Sequence, residues 1–159
     1  MVSLDFLEKV SVFEDLDDEQ LKDVQACCTE CEFMRDERIF TANEEPEYLW
    51  VVLEGRIDLL RDSESSLSDN FSITSLDETM IFGWSSLVPP YKYILTARCS
   101  SRACKVVKIE RACITRLLKE NIRTGYMVMS KLVSVVGQRF HQLQDEVARR
   151  RGQDIINQW

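Results

Sequence analysis

The sequence predicts an α+β domain. Its centre is an antiparallel β-roll of the jelly-roll kind, with short helices before it and a long helix after it. Three observations carry this. Apolar residues recur at helical spacing up to about residue 30. Between residues 31 and 110 the period drops to two, in short runs separated by turn residues. From Arg111 the helical period returns and is sustained to Arg151. Regularly spaced short strands with turn chemistry between them favour a sandwich or roll over a parallel sheet.

Leu4, Leu7, Val10 and Phe13 predict one short amphipathic helix over residues 3–15. Asp17 with Gln20 reads as a capping box that opens a second helix, with Leu21, Val24 and Cys28 on one face. Residues 32–35 and 38–40 are short strands joined at Asp36-Glu37, and residues 41–46 form a turn in which Asn43 tolerates the left-handed region. Tyr48-Leu49-Trp50-Val51-Val52-Leu53 is the strongest strand signal, rich in aromatic and β-branched residues. Glu54-Gly55 turns it into residues 56–60. Asp62 to Asn70, rich in Ser, Asp and Asn, reads as an exposed hairpin loop. Residues 71–76, 93–99 and 105–109 supply the remaining strands.

Cys113, Ile114, Leu117 and Leu118 predict a helix that stops near Asn121. A long helix follows from about Thr124 to Arg151. Tyr126, Met129, Val133, Val136, Phe140, Leu143 and Val147 lie on it at alternating spacings of three and four, a heptad seam. A second stripe of Val128, Leu132 and Val135 suits docking on the roll. Two apolar faces on one helix leave one for the core and one for a partner, so a homodimer through this helix is expected. With Met129 at d, Glu146 falls at g and Arg151 at e, positions that would allow an interchain ion pair. The alternative is a helix wrapped wholly in its own domain.

The stretch around which the chain is organised is Phe82-Gly83-Trp84-Ser85-Ser86-Leu87-Val88-Pro89-Pro90-Tyr91-Lys92-Tyr93-Ile94-Leu95-Thr96-Ala97. Gly83 permits a left-handed turn or a close approach, and Ser85 and Ser86 offer amides and hydroxyls at the start of a helical turn. This run resembles the phosphate-binding cassette of the cyclic-nucleotide-binding domain superfamily, which includes the Crp–Fnr regulators. The cassette of that family reads Phe-Gly-Glu, then Pro-Arg and a strand. Phe82, Gly83, Pro90, Leu95 and Ala97 match it; Trp84 stands for the glutamate and Tyr91 for the arginine that hold ribose and cyclic phosphate. Residues 12–21 and the segment 48–57 also resemble the family. The resemblance implies one domain over residues 1–159: N-terminal helices over 1–30, a roll over 31–110 with its cassette at 82–97, and C-terminal helices over 111–151. A Crp–Fnr regulator carries a helix-turn-helix after the long helix, and only residues 152–159 follow it in this sequence. No DNA-binding domain and no sequence-specific nucleic-acid partner are therefore expected.

Composition bounds the rest. Hydrophobic content of 45% and charged content of 30% are ordinary for a soluble globular chain. Without an apolar run of membrane length or a basic, apolar leader, the expected setting is the cytoplasm, with no membrane partner. Its six cysteines are expected to be reduced thiols there. Cys27, Cys28 and Cys31 are close enough to invite a metal or redox reading, but cysteine also packs as a small hydrophobe, so no metal site is expected. His141 is the only histidine. It can build neither a multi-histidine metal site nor a catalytic triad, and no Gly-x-Ser-x-Gly turn is present. No catalytic residue is therefore assigned, and Arg149-Arg150-Arg151 reads as a solvated helix end. Residues 1–80 hold 22 acidic and 6 basic side chains, and residues 81–159 hold 5 and 14. Either two faces of one domain offset each other, or the basic half draws an anion or an acidic protein partner.

The expected function is that of a regulatory, ligand-sensing module, non-enzymatic and without a cofactor. Its candidate ligand-binding residues are Gly83, Trp84, Ser85, Ser86, Tyr91 and Lys92. Without the glutamate and arginine, ordinary cyclic AMP and cyclic GMP are expected to bind poorly. A different small-molecule effector, a small anion on the Ser85 and Ser86 amides with Lys92, is expected in their place, walled by Trp84 and Tyr91. Trp84 is open to a second reading, as a core side chain filling the nucleotide's space. The alternative function is a ligand-free dimerisation or scaffold domain that keeps only the fold.

Overall fold

The computed structural model describes residues 1–61 and 71–158. The α+β expectation holds. Helices α1 (Leu4–Glu8) and α2 (Asp18–Gln25) precede eight strands: β1 (Cys28–Met34), β2 (Arg38–Phe40), β3 (Tyr48–Glu54), β4 (Ile57–Arg61), β5 (Phe71–Leu76), β6 (Ile81–Phe82), β7 (Thr96–Cys99) and β8 (Ala103–Glu110). Helices α3 (Arg111–Glu120) and α4 (Ile122–Asn157) follow. The strands form two four-stranded antiparallel sheets, ordered β1-β8-β3-β6 and β2-β7-β4-β5. Among the described residues, no helix is long and apolar enough to cross a membrane.

Alternation along β3 and β8 explains both the fold and the strength of the β3 signal. Leu49, Val51, Val107 and Ile109 face a core shared with the helices, among them Leu7, Phe13, Leu21, Ile114, Val128 and Leu132. Trp50, Val52, Cys104 and Val106 face the roll interior with Phe40, Ile57, Leu76, Phe82 and Tyr93. A strand buried on both faces reads as a nearly continuous apolar run, which is what residues 48–53 show.

The capping box at Asp17 and Gln20 is formed in both directions, each bond 2.9 Å. Asn43 takes a φ of 72°, in the left-handed region where Asn is tolerated.

Several local expectations are corrected. Helix α1 ends at Glu8, and residues 9–16 continue as tight turns with bonds such as Phe13 N–H to the Val10 carbonyl, 2.8 Å. Cys28 opens β1 rather than closing α2, because β1 pairs with β8 from Cys28↔Ile109 onward. Strands β3 and β4 belong to different sheets, so the Gly55 turn (φ 87°) crosses between sheets. The strand after the cassette begins at Thr96, and α4 runs on to Asn157, about 54 Å of helix. The predicted loop over residues 62–70 lies outside the described residues.

The cysteines are not all thiols. Cys27 and Cys113 are joined in a disulfide, while Cys28, Cys31, Cys99 and Cys104 are free. The expectation overlooked that Glu110 donates its amide to the Cys27 carbonyl (3.1 Å), which brings the start of α3 to the end of α2. No group of metal-ligating side chains converges among the described residues.

Candidate functional site

The cassette begins where β6 ends. Gly83 has a φ of 66° and starts a single 3₁₀ turn, Trp84–Ser86. Only glycine suits this position: a Cβ there would lie 2.8 Å from Trp50 Cδ1 and 3.1 Å from Tyr93 Cε1. The left-handed turn and close approach expected of Gly83 are both present.

Beneath Gly83 the roll interior is filled by aromatic rings. Tyr93 stacks on Phe40 with centroids 3.7 Å apart and planes 11° from parallel. Phe40 in turn neighbours Phe82 and Trp50. The Trp50 indole N–H donates to the Tyr93 hydroxyl (3.0 Å), which donates to the Tyr48 carbonyl (2.8 Å). Burial raises the Tyr93 pKa, with its hydrogen bonds from Trp50 and to Tyr48 opposing that shift. The phenol is thus neutral at ordinary pH, and the cluster is polar only along this one chain.

What space remains is a cavity of about 120 Å³, lined by Phe40, Leu59, Gly83, Trp84, Ser85, Tyr93, Ile94 and Leu95. None of these side chains is charged. Gly83, Trp84 and Ser85 are brought together there, as the sequence expects. The other candidates are not. Ser86 is fully buried, its amide donates to the Gly83 carbonyl (3.1 Å), and its hydroxyl has no partner. Tyr91, at φ 57°, and Lys92 are exposed. Tyr91 carries the Arg111 guanidinium over its ring at 4.3 Å. It lines a separate open groove of about 550 Å³ with Leu87, Leu118, Ile122 and Tyr126. The groups offered for a small anion therefore do not converge: the Ser86 amide is spent within the turn, and Lys92 is absent from the cavity wall.

The residue that occupies the site from the strand side is Tyr93, which the sequence reading passed over in favour of Tyr91. The period-two run Tyr93, Leu95, Ala97 was the available signal, since alternate residues share one face. Tyr93 and Ala97 are buried in the roll and Leu95 packs against them. Trp84 lines the cavity, and the core it packs against is the helix-side one, not the roll interior that a nucleotide would fill.

Helix α4 closes over this region. Val128 and Leu132 are buried and Val135 packs beside them, as the second stripe predicts. Arg139 donates to the carbonyl of Ile81, immediately before Phe82, and burial lowers its pKa. The seam divides. Met129 and Val136 pack on the helix-side core, whereas Tyr126, Val133, Phe140, Leu143 and Val147 are 44% to 75% exposed. Glu146 binds Arg149 and Arg150 of its own helix; because α4 runs six residues past Arg151 to Asn157, the three arginines are solvated, as expected, but do not form the helix end. His141 is exposed.

The pattern of the cyclic nucleotide-binding domain matches residues 30–121. A protein from Geobacter metallireducens, described as cyclic nucleotide-binding, is 31% identical over 89% of this chain and 100% of its own, with a TM-score of 0.77. A cyclic nucleotide-binding domain from Methylobacillus flagellatus is 20% identical over 91% of this chain and 82% of its own, TM-score 0.77. The regulatory domain of Toxoplasma gondii PKA, solved with cAMP, is 18% identical over 85% of this chain and 48% of its own, TM-score 0.70. No curated protein matches the chain.

Proposed function

The chain belongs to the cyclic nucleotide-binding domain family, and from that premise we propose that it is a non-enzymatic regulatory module that does not respond to ordinary cyclic AMP or cyclic GMP. One observation carries this reading: the space between cassette and roll is about 120 Å³ and has no charged side chain in its wall. Small-molecule sites usually span about 300–1,000 Å³. A cyclic nucleotide also brings a phosphate anion, and burying a charge without a partner is strongly unfavourable. Entry would require Tyr93 to leave its stack on Phe40 and break the Trp50–Tyr93–Tyr48 chain. An effector that fits the site as it stands is small and largely uncharged, held against Trp84 and Tyr93 with the Ser85 hydroxyl as its polar contact.

The exposed residues Tyr126, Val133, Phe140, Leu143 and Val147 support a homodimer through α4. A helix stripe of this width in water is covered most economically by the same stripe of a second copy. The aromatic filling of the roll favours a second reading, a dimerisation or scaffold domain that keeps the fold and takes no ligand.

Native mass spectrometry of purified protein tests both readings. A dimer mass with no cyclic nucleotide is expected. An additional small mass, lost on collisional activation, selects the sensor over the scaffold. A co-purifying cyclic nucleotide, or a monomer at micromolar concentration, contradicts the proposal.

A further inference from the structure

Three links join the N-terminal segment to the C-terminal helices in ladder order. The Cys27–Cys113 disulfide spans Cα atoms 5.6 Å apart. Gln20 Nε2 donates to Thr124 Oγ1 at 2.8 Å, both side chains buried. The Lys131 ammonium meets Glu14 at 2.6 Å and Asp15 at 3.2 Å. Positions fall from 27 to 14 on one side as they rise from 113 to 131 on the other, so the two segments run antiparallel and are tied at three levels. The ion pairs are exposed and contribute little. The single amide–hydroxyl bond is modest. The disulfide is the covalent link and closes a loop of 86 residues, so it is the strongest of these three, added to the apolar core that Leu21, Val24, Ile114 and Val128 share.

Helix α3 has one fully buried side chain, Ile114, with Leu117 and Leu118 partly buried against the same core, and its N-cap, Glu110, makes no side-chain capping bond. A ten-residue helix without a side-chain cap is a segment that can open locally.

Of the two cysteines, Cys27 is buried at 7% exposure and Cys113 is half-buried, so Cys113 is the side from which a thiol can approach. An open cavity of about 240 Å³ has Cys27 in its wall with Thr29, Tyr48, Lys108 and Glu110. Lys108, whose ammonium lies over the Tyr48 ring at 4.9 Å, and Glu110 bring one charge of each sign to that cavity. The neighbouring thiol does not compete. Cys28 donates to the Val24 carbonyl, and burial pushes its pKa up to about 12, so it stays protonated and does not scramble the pair.

We propose that Cys27–Cys113 is a thiol–disulfide exchange site for a dithiol reductant, and that its reduction uncouples α3 and the first turns of α4 from the N-terminal segment. A thiolate of the dithiol attacks one sulfur of the bond. It forms a mixed disulfide and expels the other cysteine, which takes a proton from water. The second thiol of the reductant then displaces the protein sulfur and closes its own disulfide. Two electrons pass from the dithiol, which is oxidised, to the bond, which is reduced, and Cys27 and Cys113 end as thiols. Oxidised dithiol reverses the sequence.

The test uses the full chain with dithiothreitol as the probe. Alkylation of the unfolded chain before and after native treatment counts the thiols; an increase of two, mapped to Cys27 and Cys113, is expected. Amide hydrogen exchange across residues 111–128 is then compared in the two states. Reduction is expected to speed exchange there by about tenfold or more, with residues 48–54 unchanged, since removing a disulfide shifts an opening equilibrium by at least that factor. Cys27→Ser/Cys113→Ser should match the reduced protein and ignore dithiothreitol; if that variant fails to fold, reduction of the wild type still decides. A bond that resists millimolar dithiothreitol until the protein unfolds overturns the proposal. So does a chain whose Cys27 and Cys113 stay free under oxidised dithiothreitol, or an exchange pattern that reduction leaves alone.

Discussion

Tyr93 explains how one side chain can settle the character of a site. It is 4% exposed, stacks on Phe40, and relays a hydrogen bond from Trp50 to the Tyr48 carbonyl. In Tyr93→Phe the ring and its stacking remain, while the Trp50 N–H and the Tyr48 carbonyl each lose a partner. Leaving buried polar groups unpaired costs about 1–3 kcal/mol. For a domain of this size that corresponds to a Tm lower by roughly 2–10 °C, readable by thermal denaturation. An unchanged Tm would mean that the hydroxyl relay does not stabilise the roll. Gly83, Trp84 and Ser85 meet at one cavity, as the sequence suggested, because glycine conformation and short-range turn chemistry are local properties. It missed Phe40 and Trp50 because they reach the cassette from β2 and β3, through sheet pairing that no local pattern encodes. It chose Tyr91 over Tyr93 because motif matching ranks position after a proline above burial.

At the scale of elements, the double burial of β3 and β8 made those strands legible, and the capping box fixed the start of α2. Boundaries were less legible where tertiary pairing overrode local period, as at Cys28, whose backbone pairs with Ile109. The two stripes of α4 were read correctly as two, but Met129 and Val136 belong with the docked face. That distinction decides how a dimer should be probed. Val136→Glu would test folding and association together. Phe140 is 57% exposed, so Phe140→Glu should leave the far-UV circular dichroism unchanged. It should also convert the proposed dimer to monomer in sedimentation velocity, because a charge at the centre of a paired apolar stripe is desolvated without a partner. A variant that keeps the wild-type sedimentation coefficient would remove α4 from the interface.

At the scale of the whole molecule, the charge split has partial structural outlets. Lys131 of the basic half pairs with Glu14 and Asp15 of the acidic half, and Lys105 pairs with Glu54, so part of the opposition is spent inside the domain. Helices, roll and cassette are joined by the shared core, by Arg139 on the Ile81 carbonyl, and by the Cys27–Cys113 bond. In a molecule so connected, a change at the cassette has a route to α4, and the proposal is that neither cyclic AMP nor cyclic GMP starts it, because the cavity there is about 120 Å³ with no charged side chain in its wall. Isothermal titration calorimetry with cyclic AMP and cyclic GMP tests that claim most directly. Loss of the charge-assisted contacts, at about 2–5 kcal/mol each, predicts no saturable heat with either nucleotide up to about 1 mM, an affinity limit of about −4 kcal/mol. A saturable isotherm with a micromolar Kd for either would contradict it.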